Sequence, residues 1–401
     1  MILKKVLKEI VKSQKANLSK YDFGIEREIL NDITINKNFA LVISGIRRCG
    51  KSTLLIQLMK ELPDFYYLNF EDTRLLSFDN SDFQKLDEIF IEEYGESEYF
   101  FFDEIQNIQQ WEIFVRSRLD QGKKFVITGS NASLLSKELG TKLTGRHLRY
   151  ELFPFSYREM LKFLNKENNI ASFEYYLKNG GFPEFLKLNN EQILQELFND
   201  IVLRDIVARY GIREIKLIKE LGIYLLTNVG KEFSFNKLKR IFHAGSINTI
   251  ISFISYFEES YLLFSISKFS FSLKKQIVNP KKIYSIDNGL TKANSTSFSA
   301  DHGRMLENLV FQELKRRYKK IFYFKENGEC DFVIKEKEKI TLAIQVCHEL
   351  NENNMKREFD GLIEALIKFN LKEGLVLTYD DEDEVIYENK KIIIKPVRNW
   401  M

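Results

Sequence analysis

Gly45-Ile46-Arg47-Arg48-Cys49-Gly50-Lys51-Ser52 is the stretch that decides the fold. It has the form G-x-x-x-x-G-K-[ST] and follows the apolar run Phe39-Ala40-Leu41-Val42-Ile43. A buried strand that breaks into a glycine-bearing loop and then a helix aims successive backbone N–H groups, together with the positive end of the helix dipole, at one point. That arrangement cradles phosphate. Gly45 and Gly50 let the chain turn, Ile46, Arg47, Arg48 and Cys49 supply the loop backbone, and Lys51 is placed to reach the β- and γ-phosphates. The Ser52 hydroxyl is the expected Mg²⁺ ligand, with Thr53 next in line as a helix former or an α-phosphate contact. ATP and Mg²⁺ are therefore the expected ligands. Cys49 opens a helix N-terminus, where a thiol pKa tends to fall, so it is either a nucleotide-protected alkylation site or a small residue chosen for fit.

Reading outward, Phe65-Tyr66-Tyr67-Leu68-Asn69-Phe70 forms a short apolar strand and residues 83–94 a helix. Tyr99-Phe100-Phe101-Phe102 is a second buried run, and it ends in Asp103-Glu104. Asp103 would hold the Mg²⁺ shell through water, and Glu104 would polarise the attacking water, since hydrolysis needs a base in line with the γ-phosphate. Residues 109–121 read as a helix with Trp111, Phe114, Val115 and Leu119 inward, followed by the strand Lys124–Asn131. At its end Ser130 and Asn131 are both candidates to face the γ-phosphate, and either would also cap a helix over 132–139. The residues leave that choice open.

Gly145-Arg146 then precedes the strand His147–Leu152, and Pro154-Phe155-Ser156-Tyr157 starts a helical segment. This order of motifs resembles the prokaryotic AAA-type ATPases that carry a C-terminal domain of unknown function. The resemblance covers nearly the whole chain, with its specific motifs in residues 40–160. It implies an α/β fold class, a P-loop NTPase parallel sheet with helices on both faces over residues 1–155, then a helical lid over 156–210. It also implies that Arg146 acts in trans on a neighbour's γ-phosphate, and hence that the chain self-associates at least transiently. The alternative for Arg146, and for Arg149, is an ordinary strand residue facing solvent. Arg204 in the lid is a weaker arginine candidate.

Residues 211–295 read as two helices joined by Gly245 and followed by a hairpin, the pattern of a winged helix-turn-helix, with Lys231, Lys237, Lys239, Arg240, Lys268, Lys274 and Lys275 around it. Lysines so placed suit phosphate contacts more than base reading, and packing against another subunit is the competing use. Residues 300–401 resemble a smaller α/β restriction-endonuclease-like core. That core holds Mg²⁺ with a helix Glu, a strand Asp and a strand-borne Glu-x-Lys. Glu307 and Asp331 fit the first two positions, but Gln345-Val346-Cys347 replaces the last carboxylate and the lysine. A neutral amide binds Mg²⁺ far less well than a carboxylate, and a thiol supplies no fixed positive charge, so a catalytically degenerate site is expected. Residual activity would have to draw on His348 or Lys335.

Composition narrows the rest. A chain of 401 residues, 44% hydrophobic, buries several cores, and 60 basic against 57 acidic residues leave a net charge of +3, so any nucleic-acid surface must be local. Three isolated cysteines, Cys49, Cys330 and Cys347, point to a reducing cytoplasm and exclude a cysteine zinc site. The lysine-broken N-terminus is no signal peptide, no transmembrane stretch follows, and its apolar face is expected to pack on the ATPase core. The reading is an ATP-hydrolysing switch associated with DNA through its C-terminal modules. Its rivals are an ATP-regulated scaffold that binds a protein partner and no nucleic acid, and, less favoured, an ATP-dependent nuclease.

Overall fold

Short runs of consecutive apolar residues build the first sheet, because strands covered on both faces need no polar alternation. In the computed structural model, which describes residues 1–131, 145–296 and 301–401, these runs become β1 (Ala40–Gly45), β2 (Tyr66–Asn69), β3 (Tyr99–Asp103) and β4 (Lys124–Gly129), and the alternating, less buried segment His147–Leu152 adds the edge strand β5. All pair in parallel, in the order β2-β3-β4-β1-β5. β4 therefore lies between the strand leading into the phosphate loop and the strand ending in Asp103-Glu104. Residues 1–153 form one compact unit and 154–401 a second. The helix expected over 132–139 and residues 297–300 lie outside the described residues.

The helices of the first unit are α1 (Lys4–Leu18), α2 (Lys51–Lys60), α3 (Asp82–Tyr94) and α4 (Trp111–Asp120). α2 packs on β1, β3 and β4, while α1, α3 and α4 share a core with Val42, Tyr66, Leu68, Phe100, Phe102 and Phe125. Phe100 and Phe125 stack at 4.8 Å across adjacent strands, and Tyr66 stacks on Phe90 of α3 at 4.7 Å. α1 belongs to this core as its sequence pattern predicts. Leu7, Ile10 and Val11 are buried, and Lys4, Lys8 and Lys12 pair with Glu88, Glu92 and Glu93 of α3.

The second unit begins with Ser156, whose side chain accepts the Glu159 amide while Glu159 accepts the Ser156 amide, a capping box for the helix Tyr157–Leu164. Helices 170–179, 183–188 and 192–200 follow, and a wider coil continues to 208. Helix 215–227, β6 (Glu232–Phe233) and helices 235–241 and 247–259 then lead to β7 (Leu263–Ser267) and β8 (Lys281–Ser285), and the three strands form an antiparallel sheet in the order β6-β8-β7. Between β7 and β8, where the sequence reads as a plain hairpin, the chain inserts a short helix over Leu273–Val278. The last segment is a six-stranded mixed sheet of β9 (Ile321–Lys325), β10 (Glu329–Glu336), β11 (Lys339–Val346), β12 (Glu373–Thr378), β13 (Asp383–Tyr387) and β14 (Lys390–Pro396). Its order is β13-β14-β12-β11-β10-β9, with helix 355–368 packed on β10, β11 and β12.

Candidate functional sites

Parallel strands deliver their C-terminal ends to one edge, and here that edge collects Ser44-Gly45, Asp103-Glu104 and Thr128-Gly129 in register. The loop from β1 runs into α2, whose first residue is Lys51. Gly50 has a φ of +98°, a conformation that side-chain-bearing residues rarely adopt. Gly45 is fixed by a different demand from the turn expected of it: a Cβ there would stand 2.1 Å from the carbonyl oxygen of Leu152 on β5. Lys51 is buried, donates to the carbonyls of Gly45 and Ile46 at 3.2 Å each, and approaches Glu104 at 3.4 Å. Burial opposes its charge, but Glu104, Cys49 and Asp103 outweigh that and hold the ammonium above its ordinary range.

Asp103 is fully buried, accepts a hydrogen bond from the Thr128 hydroxyl on Oδ1, and leaves Oδ2 with no partner. Burial, and then the neighbouring Glu104 charge, push its carboxyl up to about 6, while the Thr128 and Ser52 hydroxyls pull it down. A buried carboxylate oxygen without a donor, beside Ser52, fits a hydrated Mg²⁺. Among the described residues no group of three or more His, Cys, Asp or Glu forms a cage that would hold a metal without nucleotide.

Glu104 sits in the left-handed region at φ +50°, held there by its amide, which donates to Thr128 Oγ1 at 2.9 Å. Its carboxylate accepts from Gln106 Nε2, which also reaches Ser130 Oγ at 3.5 Å. Burial works against ionisation of Glu104, but Lys51, Gln106 and Arg47 overcome it, and the carboxyl lies below its usual range. Ser130 and Asn131 are both buried beside this group. Arg47 pairs with Glu71 at 3.0 Å, and Arg48 is in the left-handed region at φ +63°.

One expectation needs correction. The Cys49 thiol is fully buried and donates to the Leu152 carbonyl at 3.4 Å, so burial raises its pKa rather than the helix terminus lowering it. Arg146 lies at the other edge of the sheet: its carbonyl accepts the Ala40 amide at the start of β1, and its guanidinium pairs with Asp120. At about 3.3 Å per strand residue that is roughly 17 Å from the loop of its own chain. Arg149 is nearer, donating to Ser44 Oγ at 3.0 Å and Glu151 at 3.1 Å. Sequence reasoning passed over Thr128, Gln106 and Arg27. Thr128 carried a signal, being polar within a fully buried strand run. Arg27, buried beneath the loop, donates to the carbonyls of Cys49 at 2.9 Å and Phe153 at 2.8 Å, and nothing local in its sequence marks it.

Comparison with known proteins agrees with this geometry. Residues 37–161 match the family described as AAA domain, and residues 170–300 and 302–400 match two domains of unknown function, DUF8612 and DUF4143. An uncharacterized protein of Methanocaldococcus jannaschii is 36% identical over 432 residues, spanning 100% of this chain and 96% of its own. The chain belongs to that family of AAA-domain proteins. An uncharacterized protein of Haemophilus influenzae is 33% identical over 87% of this chain and 93% of its own. Among solved structures, AMPPCP-bound DnaA from Aquifex aeolicus is similar at 16% identity and a TM-score of 0.30, over 58% of this chain and 85% of that one. The AAA domain is a nucleotide-binding ATPase domain, and among the described residues no helix is long and apolar enough to cross a membrane.

The second unit of this AAA-domain protein holds another buried polar cluster. Glu307 on helix 302–317, Asp331 on β10 and Gln345 on β11 converge on one cavity of about 730 Å³. Glu329 joins them. At the centre lies Lys282 of β8, 4% exposed, with Nζ 3.0 Å from Glu307, 2.7 Å from Glu329 and 2.9 Å from Asp331. Tyr284 donates to the same Glu307 oxygen at 2.6 Å. Burial and then Asp331 push Glu307 up to about 7, whereas Lys282, despite burial, is held well above its ordinary range by Tyr284 and the carboxylates. Lys335, one expected source of positive charge, instead pairs with Glu338 away from the cavity. His348 does line the cavity, with its ring stacked on Tyr379 at 4.9 Å. Arg204, the lid arginine, is exposed and pairs with Asp200 at 3.5 Å.

Proposed function

We propose that the chain hydrolyses ATP in the presence of Mg²⁺ and uses nucleotide state as a switch that repositions its C-terminal modules. The observation that carries this reading is the continuous set of contacts from Lys51 through Glu104 and Gln106 to Ser130, with Thr128 joining Glu104 to Asp103. Backbone amides of residues 45–52 receive the phosphates, with Thr53 following them. Lys51 exchanges its carbonyl partners and Glu104 for the β- and γ-phosphates, which frees Glu104 to polarise water. Ser52 and Asp103 would hold Mg²⁺, which would supply charge neutralisation at the phosphate oxygens. Ser130 or Asn131 reports the γ-phosphate, and Gln106 carries that state to Glu104. Arg146 serves a neighbouring subunit only if its pair with Asp120 opens.

For the partner, helices 215–227, 235–241 and 247–259 with strands β6, β7 and β8 support a winged-helix module, with Lys231, Lys237, Arg240, Lys274 and Lys275 exposed around it for DNA phosphates. A protein partner without nucleic acid is favoured by a different observation: Phe271, Leu273, Ile277 and Val278 beside the inserted helix are 80%, 69%, 62% and 75% exposed. Steady-state ATP turnover by the purified chain tests both levels. Lys51→Ala should abolish binding or turnover, and Glu104→Gln should keep binding and lose on the order of a hundredfold in rate. Turnover that rises with duplex or single-stranded DNA supports the DNA reading; a rate indifferent to DNA supports the protein partner. Undiminished turnover in Glu104→Gln removes Glu104 as the base.

A further inference from the structure

An endonuclease-like core is expected to gather carboxylates around Mg²⁺, and here the gathered carboxylates do not fit one. The three oxygens that converge do so at 2.7, 2.9 and 3.0 Å from Lys282 Nζ. Those are the lengths of charge-assisted N–H···O bonds; Mg²⁺ requires about 2.0–2.1 Å and Ca²⁺ about 2.3–2.6 Å. An ammonium has three donors, and each finds one carboxylate. The remaining acceptors are largely committed. Asp331 Oδ2 takes the Val346 amide at 3.0 Å, Glu329 Oε2 takes Lys325 at 2.8 Å, and the Gln345 carbonyl oxygen takes the Asp331 amide at 3.2 Å. The Gln345 amide nitrogen donates to Glu358 at 2.7 Å, so this side chain is occupied on both sides.

We infer that the Lys282 ammonium stands in the position of a divalent cation, so that the carboxylate cluster of Glu307, Glu329 and Asp331 is closed to metal by the protein's own lysine. The lysine comes from β8, outside the six-stranded sheet, while two of its partners lie on β10 within that sheet and the third on helix 302–317. The ion cluster therefore also latches the three-stranded sheet to the C-terminal sheet. Removing the ammonium would leave three carboxylates, Asp331 buried and Glu307 and Glu329 half-buried, facing one another, a state relieved by protonation or by a captured cation. Lys282→Met should thus open a divalent-cation site that the native chain lacks. This inference is independent of the ATPase reading.

The test is Mn²⁺ binding to the full-length, nucleotide-free chain, followed by the free-Mn²⁺ EPR signal, with thermal melting in parallel. The native protein and Asp331→Asn should take up Mn²⁺ equally. Lys282→Met should bind one further Mn²⁺ per chain, lost again in Lys282→Met/Asp331→Asn, and its melting temperature should rise with Mn²⁺ while that of the native protein stays fixed. If Lys282→Met does not fold without metal, Mn²⁺ or Ca²⁺ should restore a cooperative melt. An Asp331-dependent Mn²⁺ in the native chain overturns the inference. So does a folded Lys282→Met that gains no Mn²⁺, or an unfolded one that neither ion rescues.

Discussion

Replacing Thr128 by valine preserves the shape of a buried side chain and removes one hydroxyl. That hydroxyl donates to Asp103 Oδ1 and accepts the Glu104 amide at 2.9 Å, so the variant strips a donor from one acidic residue and an acceptor from the next. A hydrogen bond to a charged group is worth about 1.5–3 kcal/mol. At about 1.4 kcal/mol per pH unit, its loss raises the Asp103 pKa by roughly one to two units above its already elevated position. Donation by Thr128 stabilises the Asp103 carboxylate, so its removal favours the proton. If catalysis requires ionised Asp103 to hold Mg²⁺, the acid limb of kcat/KM for Mg-ATP, which reports groups of the free enzyme, moves to higher pH by that amount. Thr128→Ser retains the hydroxyl and should keep the native limb. Steady-state turnover across pH, with both variants checked by thermal melting, makes the measurement. A Thr128→Val profile that only falls in height, its acid limb fixed, refutes the assignment of Asp103 as the ionised group and of Thr128 as what keeps it so.

Other expectations follow from the same geometry. Gly45→Ala places a Cβ 2.1 Å from the Leu152 carbonyl and should cost the first unit several-fold more stability in chemical denaturation than Gly122→Ala, where open space surrounds the added atom but φ is +82°. Asp287 is fully buried, accepts the amides of Gly181 and Leu290 at 2.7 and 2.8 Å, and is raised by burial from 3.8 to about 6. A group raised in the folded state contributes stability that is complete at low pH and lost as pH rises through about 6, on the order of 3 kcal/mol. The stability difference between native chain and Asp287→Asn should shrink by that amount from acid to neutral pH, and a difference independent of pH would show that Asp287 does not titrate there. Native Cys49 should resist alkylation equally with and without Mg-ATP, measured by mass spectrometry; rapid labelling of the free protein would show that the loop opens further than its buried thiol implies.

Local runs carried most of the first unit. Ala40–Gly45 is a strand because every residue in it can be buried, and Asp103-Glu104 ends a strand because four apolar residues precede two that cannot stay in a core without partners. The N-terminal helix was legible for the same reason, its buried Leu7, Ile10 and Val11 recurring at helical spacing. The second unit was legible by element but not by partner. Glu307, Asp331 and Gln345 were identifiable, whereas the ammonium among them comes from Lys282, 49 positions before Asp331 in sequence, and not from the nearby Lys335.

The sequence alone determined that a phosphate loop precedes a helix, that an acidic pair ends a buried strand, and that Gln345-Val346-Cys347 offers neither a carboxylate nor a lysine beside Asp331. These are properties of contiguous residues, fixed by burial, backbone freedom and side-chain chemistry within a few positions. Only the tertiary structure decided that Thr128 joins Asp103 to Glu104, that Arg146 lies at the far edge of the sheet, and that Lys282 fills the acidic cluster. Those facts depend on which strands lie side by side. A sheet order of β2-β3-β4-β1-β5 brings together residues that the chain separates, and no local pattern records that choice.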